Sequence, residues 1–223
     1  MYIIDHSQDN DFYTQRNNQY FGSAACNVTS GINFCKANKI PYRNPTKLAD
    51  DDYLMTIARS KEAFEVMEKL ASWAVKDWNY QVKDWSIFST DWQKRYYHPP
   101  SEVWVMLEWS INKMCEMRVC KINWQLTKED FFNELLNNAI LCGGKYTSTG
   151  HFLTAVGFVS SVPPRTFVDY SKITHVIVDD TWGDLTTQYR SKKGNSIHIP
   201  INMFLKLTRD YDKSGVIWGF LKV

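Results

Sequence analysis

The stretch YTQRNNQYFGSAACNVTSGINFCK, from Tyr13 to Lys36, sets Gln15 eleven residues ahead of Cys26 and then passes into a helical pattern. The Asn and Gln cluster from Arg16 to Gln19, closed by Gly22 and Ser23, marks an irregular lead-in. From Cys26 onward, Val28, Ile32, Phe34 and Cys35 give a partly apolar stripe, and Pro41 and Pro45 stop the helix near Asn38. Cys26 then opens a helix, where unpaired N–H groups and the positive end of the macrodipole favour a thiolate. A thiol attacks an acyl carbon only in that form. Cys26 is therefore the candidate nucleophile, and it needs an imidazole with an acceptor to orient it.

Two later stretches supply those groups. GHFLTAVGF, from Gly150 to Phe158, brings His151 as the candidate base at the start of a strand. VIVDDTWGD, from Val176 to Asp184, brings Asp180 as the orienting carboxylate, with Asp179 in competition. Strand residues alternate in direction, so only one of the two aspartates can face the histidine if the strand runs through both. The developing oxyanion also needs donors: the Gln15 side-chain amide and the Cys26 backbone N–H fill that role, with Gln19 as the competing glutamine.

The rest of the chain reads as helices first and sheet second. Tyr2-Ile3-Ile4 is a short strand, and Thr46 to Lys76 reads as two helices, Thr46–Ser60 and Lys61–Lys76. Asp77 to Tyr97 is polar and aromatic without clear periodicity. A helix follows Pro100 with Ser101 as N-cap, then a short strand over Val119–Trp124 and a helix over Thr127–Asn138. Strands are expected over 139–144, 151–160, 175–178, 197–199 and 216–223, with a helix over 200–210 between the last two. The order describes an α+β fold, read as one domain over 1–223 in which 46–124 is a helical, aromatic-rich insertion.

Composition narrows the function. With 26 basic and 24 acidic residues the formal net charge is only +2, which excludes the single-sign field of a nucleic-acid binder. The five cysteines are irregularly spaced and odd in number, so they form neither a disulfide framework nor a CxxC metal site, and reduced thiols are expected. His6, His98, His175 and His198 lie outside any HExxH context and no GxxxxGK[ST] loop occurs, so no metal or cofactor is expected. No apolar run approaches the roughly 20 residues that span a bilayer. MYIIDHSQDND has neither the basic nor the long apolar region of a signal peptide, which points to synthesis in the cytoplasm. Nine Trp, twelve Tyr and twelve Phe suit a densely packed core or a groove for peptide or glycan.

Gln15, CNVTS at Cys26–Ser30, Gly150-His151 followed by AVGF, and VDDTWGD at Val178–Asp184 together resemble the papain-fold cysteine peptidases related to the bacteriocin-processing peptidases. The resemblance spans roughly residues 13–36 and 139–190 and leaves the aromatic helical middle unexplained. It implies a papain-like fold, Gln15 in the oxyanion hole, Cys26 as nucleophile, His151 as base and Asp180 as orienting carboxylate. It also implies proteins of bacteria and their phages, a peptide or cell-wall peptide substrate, and delivery to the cell wall or carriage in a phage particle. Two positions depart from the family pattern: Thr181 replaces a proline after the carboxylate, and Ala24 a glycine before the nucleophile. Two other functions fit the same residues: a papain-like binding or structural protein with a vestigial triad, and an acyl transferase of transglutaminase type.

Overall fold

The computed structural model describes residues 1–7, 12–18, 25–63, 66, 100–148, 150–165, 168–208 and 214–223. In chain order its elements are β1 (Tyr2–Asp5), α1 (Cys26–Ala37), α2 (Asp50–Ala58), α3 (Pro100–Met114), β2 (Cys120–Leu126), α4 (Lys128–Leu135), β3 (Ile140–Gly144), β4 (His151–Ser160), β5 (Ile173–Asp179), β6 (Ile197–Pro200), α5 (Ile201–Leu207) and β7 (Ile217–Lys222). The fold is α+β. Seven antiparallel strands form one sheet in the order β2-β7-β3-β4-β5-β6, with β1 added against β4.

β4 is the spine of the sheet, and it is buried almost throughout, which is why HFLTAVGFVS reads as a nearly continuous apolar run. β5 lies along one edge. On the other edge, His151–Ala155 pairs with β3 and Gly157–Ser160 pairs with β1. Gly157 sits at that handover, and a Cβ there would fall 1.9 Å from the Ile4 carbonyl oxygen, so the two strands meet only over a glycine.

Alternation along the strands feeds two cores. Leu141 joins Val28, Ile32 and Phe34 of α1, Leu54 and Met55 of α2, and Trp104, Leu107 and Ile111 of α3. Its neighbours Ile140 and Cys142 face the other side, with Phe131 and Phe132 of α4 and Phe204 of α5. Each such large side chain, once buried, contributes about 1.5–3 kcal/mol of transfer free energy. Thr46–Trp124, read as an insertion, thus shares a core with α1 and the sheet where it is described. The helix expected over 61–76 is described only at residues 61–63 and 66, where it is helical. Asp77 to Tyr97 lies outside the described residues.

Several boundaries differ from the sequence reading. α2 begins at Asp50 and not Thr46, because Asn44 and Thr46 divert the backbone into local turns: Asn44 Oδ1 accepts from Thr46 N (3.0 Å) and Thr46 Oγ1 from Leu48 N (3.1 Å). α3 begins at Pro100, a residue suited to the first helical position, rather than being capped by Ser101. α5 ends at Leu207 because Thr208 pairs with Gly144 instead of continuing the helix. At α4 the N-cap is Thr127, whose Oγ1 accepts from Asp130 N at 3.1 Å.

Candidate active site

α1 starts at Cys26, with Ala25 offering no side-chain cap and no acidic residue in the first turn, so nothing anionic competes with the thiol there. The helix is pinned to the start of β4 by two hydrogen bonds. Ser30 Oγ donates to Phe152 O (2.9 Å), and Thr154 Oγ1 donates to Ser30 O (2.9 Å). One turn before Ser30, the half-buried Cys26 lies beside His151, the first residue of the strand, close enough for each side chain to shift the other's proton affinity.

His151 is held from behind. Its Nε2 lies 2.8 Å from Asp180 Oδ1, with both side chains buried, which leaves Nδ1 as the ring nitrogen for the thiol. β5 stops at Asp179, so the two aspartates do not share a strand and the competition between them is decided by the turn. Asp179 Oδ1 accepts from Ser196 N (3.0 Å), while Asp180 turns to the histidine. The Asp180 backbone N–H donates to Gly194 O (2.7 Å), and its Oδ1 also accepts from Trp182 N (2.9 Å). A Cβ on Gly194 would lie 1.8 Å from the Asp180 carbonyl oxygen, so this close approach requires glycine.

The electrostatics follow from these contacts. Burial alone would push the Cys26 thiol up, but the His151 hydrogen bond, the His151 charge and the Phe152 and Asn27 backbone contacts outweigh it and lower the pKa below 9.0. Burial likewise opposes a charged His151. Hydrogen bonds to Asp180 and Cys26 and their negative charges prevail, raising His151 from 6.5 to about 10. Both shifts favour the thiolate and imidazolium forms of the pair.

Gln15 lies on a 3-10 turn over Gln15–Asn17 and is buried. Its Oε1 accepts from Thr181 Oγ1 (2.6 Å) and its backbone N–H donates to Thr181 O (3.2 Å), so the amide is fixed beside Asp180 with its carbonyl end engaged. Gln19 lies outside the described residues. Asp51, also buried, accepts from Asn18 Nδ2 (3.1 Å) and Thr29 Oγ1 (2.9 Å) and so ties the Gln15 loop to α1.

Sequence reading missed Thr181, Asp51 and Tyr189. The Tyr189 ring stands edge-on to His151, centroids 6.4 Å apart, and its hydroxyl donates to Tyr146 O (3.1 Å). Burial, then the Asp180 charge, keeps that phenol protonated. Only Thr181 carried a local signal, as neighbour of the candidate carboxylate.

Comparison with models of known protein families finds no match, and none is found among curated proteins. Among the described residues no group of three or more His, Cys, Asp and Glu could hold a metal ion, and no helix is long and apolar enough to cross a membrane.

Proposed function

We infer that the protein is a papain-like cysteine hydrolase that cleaves amide bonds of peptides or cell-wall peptides in bacteria or their phages. The observation that carries this reading is His151, bonded to Asp180 and set beside Cys26 at the start of a helix. The Cys26 thiolate attacks the carbonyl carbon. Its oxyanion is met by the Cys26 backbone N–H and the Gln15 amide, and the imidazolium gives its proton to the departing amine. His151, now neutral, takes a proton from water, which attacks the thioester and releases the acid and the Cys26 thiolate. Thr181, where the resembled family has proline, supports the scheme because its hydroxyl secures Gln15.

The test is release of new amines from peptides and from a peptidoglycan preparation by the native protein and by Cys26→Ala. The variant is expected to lose about 10³-fold or more, with its circular dichroism unchanged. Equal hydrolysis by both proteins overturns the assignment. A primary amine added to the assay reports the transferase alternative as a covalent conjugate.

A further inference from the structure

Beside the His151–Asp180 pair lies an open hollow of ≈ 720 Å³. It begins at Tyr189 and Trp182, the two residues that flank the pair, and continues over Tyr146, Leu185 and Met203 to Lys145. Met203 is 36% exposed, one of the few large apolar side chains left at the surface, and its unbranched stem suits a wall that must fit different ligands. Lys145 is the only charged group among the ten lining residues, and none of them is acidic. The hollow therefore offers apolar walls and one cation.

Its place relative to the chemistry gives it a direction. His151 passes its proton to the departing amine, so the segment that leaves lies next to the imidazole, against which Tyr189 stands edge-on. We propose, on the cysteine-hydrolase reading above, that this hollow binds the residue directly after the scissile amide and selects an acidic one. The stem of a glutamate lies against Tyr146, Leu185 and Met203 and its carboxylate pairs with Lys145. An amide of the same shape fills the walls without the ion pair, and a lysine meets a like charge.

The experiment titrates Glu-Ala-amide, Gln-Ala-amide and Lys-Ala-amide, which imitate the departing segment, onto the Cys26→Ala protein by calorimetry. Binding in the order Glu, Gln, Lys is expected, with about fivefold between the first two for a partly exposed ion pair. Lys145→Met is expected to erase the difference between Glu and Gln. Lys145→Glu should invert the order of Glu and Lys, and Met203→Glu, adding a carboxylate to the facing wall, should weaken the Glu probe. Equal affinity for Glu and Gln, a preference that survives Lys145→Met, or no saturable binding of any probe overturns the assignment. Cys26-dependent cleavage is scored separately, so failure of the hydrolase reading is seen as absent cleavage with the binding order intact.

Discussion

Cys26 and Cys142 are two thiols packed into the same sheet-and-helix body, yet their chemistry diverges. Cys142 sits on β3 facing the second core, and burial pushes its pKa up to about 12 in spite of hydrogen bonds involving Tyr146 and the Ala155 backbone. Cys26, half-buried, has backbone contacts at Phe152 and Asn27 and burial that also opposes its charge, yet its pKa falls. The difference is His151. Burial keeps Cys142 protonated, whereas at Cys26 an imidazole held in place by a carboxylate acts beside the helix start and outweighs burial.

The largest way to break the contrast is His151→Ala, which leaves Cys26 with its backbone contacts and its burial. Iodoacetamide labelling at pH 7, resolved by site, is expected to drop about 100-fold or more at Cys26, bringing it towards Cys142, and hydrolysis to fall by about 10³. If Cys26 in that variant still labels far ahead of Cys35 and Cys142, the helix terminus and not the imidazole activates it.

A pH profile sharpens the same contrast with a smaller effect. Cys26 loses its proton below 9.0, so its labelling rises with pH through that lowered value and then levels, because the thiolate persists after His151 deprotonates. Hydrolysis needs the imidazolium as well, so kcat/KM rises on the same limb and falls as His151 loses its proton near about 10. Asp180→Asn keeps an acceptor for the ring but removes a negative charge that raises the His151 pKa. The alkaline limb should therefore move below about 10, with labelling of Cys26 still ahead of Cys142. An unmoved limb would show that Asp180 orients the ring without tuning it.

These residues were unevenly visible in the chain. Cys26, His151 and Asp180 sit in local motifs at the boundaries of elements, and helix starts and strand ends leave local signals. The distinction between Asp179 and Asp180 was not legible, because alternation decides only within a strand and β5 ends between them. Nor was the partnership of β1 with the second half of β4, which joins residues about 155 apart and depends on Gly157 yielding space to Ile4. Asp51 lies in a run of three aspartates, Asp50 to Asp52, that reads as a solvated helix start, and only folding shows it buried between Asn18 and Thr29. Tyr189 joins the site through a turn with left-handed backbone at Gln188 and Tyr189, for which neither residue is a usual choice.

The smallest effect concerns Thr181, and it separates the two halves of the site. The Thr181 hydroxyl bonds neither the thiol nor the imidazole but donates to the Gln15 side-chain carbonyl at 2.6 Å, in a fully buried position. Thr181→Val keeps the volume and removes the donor, so Gln15 loses a bond of about 1 kcal/mol and its amide is held less firmly. An oxyanion donor acts only while negative charge develops on the substrate, whereas labelling by iodoacetamide depends on the thiolate alone. Hydrolysis should therefore fall about three- to tenfold, labelling of Cys26 should stay unchanged, and Thr181→Ser should restore the rate. Loss of labelling together with hydrolysis would mean that Thr181 supports the Asp180 turn instead, and that the oxyanion half of the site is not built independently of the thiolate half.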